Sequence, residues 1–435
     1  MQLAVPSILA NITIPLVGIV DVAILGHIAD AAVIGGIAVG TMLFDLLYWN
    51  FGFLRVGTSG LTAQAFGRAD REGEVKLLSQ SVSTAVVAAL AIWLISWLFV
   101  SLVLWCVPCS QEVAAFARRY FFVRIWAAPA TLSLMALKGW FIGMQNTVAP
   151  MITDIVVNVV NMAVSYALAV GPAGPIGVAW GTLIAQYSGL LTAGMIVLIK
   201  YSDIIRGHMH FAKKEIFSDK RFFRLNANLF VRSLFFMVVY VGYTAIASKY
   251  GDEELAVSNI FMKLFMLFSF FVDGFAYAGE ALTGKLGAQA GGGWCRSKEV
   301  DRVVRILFCW ALGVGVVFMT VYYLCAGSMI GLLTSDASLQ TAAAPFHIWL
   351  ALMPLFSALA FMWDGVYIGA ASGKHVRNCM AWAAGGFVAG YVCLSPFVGI
   401  HALYIGYLMH LLVRALYLSL AWPKMAQVIS SNPES

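Results

Sequence analysis

Charge is what this chain carries least of. Only 11% of its 435 residues are Asp, Glu, Lys or Arg, and 61% are hydrophobic. An ordinary soluble domain has about 25% charged residues, so a water-soluble globular protein is excluded. The shortage is concentrated in runs. Nothing charged lies between Lys76 and Glu112, Asp154 and Lys200, Arg305 and Asp336, or Arg377 and Arg414. Each run exceeds the roughly 20 apolar residues that carry a helix across a bilayer. The short alternating segments of a membrane barrel are missing as well, which leaves helices.

Chemical motifs are equally sparse. There is no GxxxxGK[ST] phosphate loop and no HExxH, and no Ser/His pair among the seven histidines has a convincing context, so an intramembrane enzyme or an ATP-driven pump is disfavoured. The seven cysteines form no metal pattern. Cys106-Val-Pro-Cys109 has redox-like spacing, but one such pair in so lipophilic a chain is a weak signal. The net charge of +6 follows from membrane loops and implies no nucleic-acid partner.

From Met1 to Ala29 there is one carboxylate, Asp21, and no Lys, Arg or Glu. This segment lacks the basic start and small-residue cleavage site of a signal peptide. It is also interrupted by Pro6, Asn11 and Pro15, so it reads as a first membrane helix with Pro6 and Pro15 as candidate hinges. The chain begins inside that helix, with a tail ahead of it that is very short or trimmed.

About twelve spans are expected, at 2–27, 33–66, 77–108, 121–145, 150–170, 177–199, 225–248, 256–287, 303–332, 343–370, 378–396 and 401–421. The hydrophilic insert 201–224 separates an N-terminal six-helix lobe (1–200) from a C-terminal one (225–435). Seventeen of the 27 Lys and Arg residues fall in the tail and in the loops after even-numbered spans. Only Arg118, Arg119, Arg124 and Lys249 fall on the opposite side, which places both termini in the cytoplasm. The halves repeat. ILGHIADAAVIGGIAVG (24–40) echoes AIASKYGDEELAVSNIF (245–261), GTSGLTAQAFGRAD (57–70) echoes AYAGEALTGKLGAQAG (276–291), and KGWFIGMQNT (138–147) echoes DGVYIGAASG (364–373). Repeats of six spans are parallel, related by a pseudo-two-fold axis along the membrane normal. The fold class is therefore all-α integral membrane, two six-helix bundles in the manner of a secondary transporter.

Six acids and six bases remain within the spans: Asp21, Asp45, Asp154, Asp273, Glu280 and Asp364 with Arg55, Lys138, Arg232, Lys263, Lys285 and Arg414. A charge at the centre of a span costs roughly 2.5–3.5 kcal/mol on insertion scales and usually has a function. Asp21 lies about 9 Å inside its helix end, at 1.5 Å per residue. Desolvation disfavours the charged form of a carboxylate, so an acid there is suited to take up and release a proton. The plainer alternative is a structural Asp satisfied by hydroxyls and amides. Asn158, Asn161 and Ser165 share one helix face and are candidate partners for Asp21, or simply glue between helices. Lys138 occupies the repeat position of Asp364, and its partner could be Asp364 or Asp21. Asp364 and Glu280 are the C-terminal candidates for coupling or substrate binding.

In their order, PSILANITIPLVGIVDVAILGHI, FLRVGTSGLTAQAFGRAD, LKGWFIGMQNTVAPM, VVNVVNMAVSYAL, GPIGVAWGTLIAQYSGLL, VDGFAYAGEALTGK and WDGVYIGA resemble the multidrug and toxic compound extrusion (MATE) family, in particular its DinF-like branch. The resemblance implies an exporter of lipophilic, commonly cationic compounds in a bacterial inner membrane, driven by inward H+ or Na+ and needing no other cofactor. It implies that Asp21 is the coupling carboxylate, that Pro6 is the bending proline, that Asn161 and Thr182 line the N-terminal site, and that Asp364 is the helix 10 acid associated with cation coupling. Many members carry a second acid four residues after the helix 5 asparagine; here that residue is Ser165. A paired-carboxylate sodium site in the N-terminal lobe is therefore disfavoured and protons are favoured, with Na+ near Asp364 left open. A lipid-linked oligosaccharide flippase of the same superfamily is the alternative, but it would want an excess of bases over acids in the membrane.

Overall fold

The computed structural model describes residues 1–12, 30–107, 109–171, 173–212, 219–289, 293–334 and 336–430, and every regular element among them is helical. In chain order these are α1 (4–12), α2 (Ala31–Trp49), α3 (Phe53–Gly67), α4 (Arg71–Cys106), α5 (Gln111–Arg124), α6 (Ala128–Gly143), α7 (Val148–Val170), α8 (Gly177–Lys200), α9 (Ser202–Ala212), α10 (Lys220–Ala247), α11 (Asp252–Ala288), α12 (Lys298–Leu333), α13 (Ala337–Ala343), α14 (His347–Gly369), α15 (Gly373–Val398) and α16 (His401–Ser430). Among the described residues eleven helical stretches are long and apolar enough to cross a membrane. They match the second to twelfth spans expected from the sequence. The first span, 2–27, lies largely outside the described residues, as do Asp21 and Pro15.

Helix starts follow local chemistry. Asp70 accepts from the Gly73 amide at 2.8 Å, Ser110 from Val113 at 3.3 Å, and Ser297 from Val300 at 3.2 Å, each satisfying an amide that has no partner within its helix. Acidic first turns, such as Asp252–Glu254 in α11, add a favourable dipole interaction. These caps explain why the fourth span starts at Gln111 rather than near 121. Arg118 and Arg119, expected in a loop ahead of the span 121–145, lie on α5 together with Arg124. Part of the hydrophilic insert is also helical: α9 packs on α4.

The chain divides into two compact units, Leu9–Phe222, and Met1–Ile8 together with Phe223–Ser435. In the first, α6 is the buried centre, packed on α3 and α4, with α7 against α8. In the second, α14 is the buried centre, packed on α11 and α12, with α15 against α16. These neighbour relations coincide under the repeat read from the sequence. Outward helix faces are apolar: Leu94, Trp105, Leu198 and Leu332 are all exposed, as lipid-facing side chains should be.

The two centres are built alike down to single atoms. Gly139 and Gly143 of α6 meet the Arg55 and Ser59 carbonyls of α3, while Gly365 and Gly369 of α14 meet the Ala276 and Glu280 carbonyls of α11. A side chain at either pair would drive the backbones apart, so glycine is what allows the close approach. Both helices then end in the same turn. Met144, Gln145 and Asn146 donate to Trp140, Ile142 and Phe141, just as Ala370, Ala371 and Ser372 donate to Val366, Ile368 and Tyr367. Gln145 (φ 59°) and Ala371 (φ 53°) hold the left-handed position that usually takes glycine. Ala371→Gly should therefore be neutral or stabilising by about 1 kcal/mol, whereas Gly139→Val should destabilise by about 1–3 kcal/mol. Thermal unfolding in one detergent should show a lowered melting temperature for Gly139→Val and an unchanged or raised one for Ala371→Gly.

Candidate functional site

Each unit carries polar and charged groups where its helices are most buried. In the first unit these groups lie on α7 and α8. Gly181 admits the Ser165 side chain against the α8 backbone, which draws the two helices together at the Asn161 level. There the Asn161 Nδ2 donates to Thr182 Oγ1 at 3.1 Å, and the Thr182 hydroxyl donates to the Val178 carbonyl at 3.0 Å. Asn161, Ser165 and Thr182 are all buried. Asn161 Oδ1 and Ser165 Oγ find no partner among the described residues. Among the described residues the site thus has unused hydrogen-bonding capacity and no charge. Asn158, one turn earlier, is half-buried.

The sequence left Asp364 and Asp21 as possible partners of Lys138; Asp21 lies outside the described residues, and the described partner is a third acid. The Lys138 ammonium pairs with Asp154. The reason is geometric: α6 and α7 are consecutive and bring the two residues together. Asp154, one of the six acids within the spans, neutralises Lys138.

In the second unit Asp364 sits on α14 with its side chain 7% exposed. Its Oδ2 accepts from the Nη2 of Arg232 on α10 and from the Nη2 of Arg414 on α16, both at 2.6 Å. Arg414 is 1% exposed, and its guanidinium lies over the Phe361 ring at 5.1 Å from the centroid. Arg232 retains 21% exposure. Sequence reasoning listed both arginines as membrane bases but did not bring them to Asp364. The available signal was that spans 7, 10 and 12 each hold a charge with no local partner. Glu280, 1% exposed, lies on α11 where that helix meets α14. Pro6 lies in the first turn of α1, where a missing N–H costs no helical hydrogen bond.

No group of three or more His, Cys, Asp or Glu side chains among the described residues is arranged to hold a metal ion. At Asp364 two guanidinium groups share one carboxylate oxygen, and their positive charge weighs against a cation there.

A polytopic helical chain of two like halves, with buried charge and amide groups inside the spans, is the build of a membrane transporter rather than an enzyme. The chain belongs to the MatE family: its sequence matches the family profile over residues 6–167 and 229–389. It is 34% identical to DNA damage-inducible protein F of Escherichia coli K12, over 97% of this chain and 91% of that protein. It is 23% identical to Protein DETOXIFICATION 44, chloroplastic, of Arabidopsis thaliana, over 95% and 80% of the two chains. Among solved structures, a MATE transporter in the bent conformation superposes with a TM-score of 0.86 at 16% identity, covering 100% of this chain and 96% of that one. A MOP superfamily transporter from Pyrococcus furiosus gives 0.87 at 15% identity, with the same coverage of 100% and 96%.

Removing one member of a buried ion pair strands the other, at a cost of about 3–5 kcal/mol. Asp364→Asn strands two guanidinium groups and should sharply lower the melting temperature. Asp154→Asn, at a more exposed pair, should cost less. A fluorescence melt of both variants in the same detergent would rank them, and equal losses would contradict the burial argument.

Proposed function

We propose that this MatE transporter is a secondary active exporter of lipophilic organic compounds, driven by inward protons through alternating access, with Asp21 as the coupling carboxylate. The observation that carries the reading is the neutral polar site on α7 and α8. Asn161 Oδ1 and Ser165 Oγ are buried and have no partner among the described residues, and Asn161 is fixed by Thr182. An amide and a hydroxyl can hydrogen-bond a carboxylate in either protonation state, so a single acid working against them can take and release one proton. A sodium site would want further anionic ligands, and Ser165 supplies none. The two guanidiniums at Asp364 also weigh against Na+ coupling in the second unit. The excess of Lys and Arg in loops of one side supports an inner-membrane orientation with both termini in the cytoplasm.

The test is transport in proteoliposomes. A fluorescent lipophilic cation should move under an imposed pH gradient, fail to move under a Na+ gradient alone, and lose its pH-driven movement in Asp21→Asn. Movement driven by Na+ and indifferent to Asp21 would overturn both the ion and the residue.

A further inference from the structure

The charges around Asp364 do not balance. One carboxylate faces two guanidinium groups, and among the described residues no other acid is ion-paired to either arginine. Both carboxylate-directed bonds fall on the same oxygen, and each arginine uses only its Nη2 for it. The Nε–H groups of Arg232 and Arg414 are both buried without an acceptor among the described residues. Arg414 is 1% exposed, so its surplus charge is not relieved by water at its own position. A buried cation left uncompensated is costly, and an arginine inside a span doubly so. Arg232, at 21% exposure, is the open edge of the cluster.

We infer that Arg232, Arg414 and Asp364 form an anion site that accepts one monoanionic group, of the carboxylate type, through Arg232. The argument is one of charge and of shape. The excess is a single positive charge, which suits a monoanion and falls short of a pyrophosphate. The guanidinium fork presents parallel N–H donors that match a planar carboxylate. Asp364 holds the two forks in register and keeps the site from carrying a double positive charge when empty. The Phe361 ring beneath Arg414 gives the neighbouring wall an apolar surface that suits the hydrocarbon part of an amphiphile. The inference deepens the exporter reading and rests on it only in taking the bound group to be part of the cargo: lipophilic molecules bearing one carboxylate, not cations alone. A free halide would satisfy the same chemistry, and the two sources are separable.

The experiment measures binding and needs no transport. The full chain in lipid nanodiscs is titrated with 11-(dansylamino)undecanoic acid and, separately, with its methyl ester. Tryptophan-to-dansyl energy transfer is the readout, and empty nanodiscs are subtracted. The acid should bind about tenfold more tightly than the ester. Arg232→Gln, at the exposed edge and checked for monodispersity, should bring the two within about twofold; Arg232→Lys should restore part of the preference. Sodium chloride that displaces the acid beyond a sodium sulfate control of equal ionic strength identifies a free halide as occupant of the same anion site. No extra displacement assigns the site to the carboxylate of an amphiphile. Equal affinity for acid and ester, no saturable binding of the acid, or a preference that survives Arg232→Gln overturns the inference. Movement of a lipophilic cation in proteoliposomes would meanwhile leave the exporter reading standing.

Discussion

A charge carried into hydrocarbon must be met by a partner, and that constraint orders this protein. It forbids unpaired backbone, which is why every regular element described is a helix. It also decides where side chains converge. Lys138 finds Asp154 across consecutive helices, and Asp364 gathers Arg232 and Arg414 from helices far apart in the chain. In the second case the attraction overshoots: a second guanidinium is retained at one carboxylate oxygen. Replacing buried ion pairs by apolar groups is often neutral or stabilising, so an unbalanced cluster is hard to explain by stability alone. Function is the natural reason to keep it.

The two units share a backbone device and differ in charge. Glycine pairs on α6 and α14 meet carbonyls of α3 and α11 in the same way, and the helices end in the same left-handed turn. Directly before each glycine pair stands a charged residue, a base in one unit (Lys138) and an acid in the other (Asp364). The scaffold is therefore repeated while the chemistry mounted on it is inverted. One unit ties its base off against Asp154 and offers a neutral amide and hydroxyl site on the adjoining helices. The other surrounds its acid with positive charge. Two halves with one fold thus present unlike environments, which suits a division between handling a proton and holding cargo.

Much of this was legible in the residues. The second to twelfth spans, the repeat and the α7 stripe of Asn161 and Ser165 all follow from local patterns, because an apolar run of sufficient length has one stable form in lipid and spacing by three or four fixes a helix face. Other features were not. The caps at Ser110 and Asp70 extended helices into stretches whose polarity suggested loops, because a satisfied first turn outweighs modest hydrophilicity. The partner of Lys138 and the two arginines of Asp364 were also missed. A charge inside a span signals that a partner exists without naming it.

The sequence by itself determined the class of this protein: a helical membrane chain in two like halves with a lone acid in its first segment. Those properties depend on composition and periodicity, which are local. Only the tertiary structure decided which charges meet, that Asn161 is held by Thr182, and that Asp364 is shared by two guanidinium groups. Pairing depends on the rotation of each helix about its axis and on neighbours more than a hundred residues away, as Arg232 is from Asp364. That rotation is fixed by packing, where glycine lets backbones touch, and no single stretch of sequence contains it.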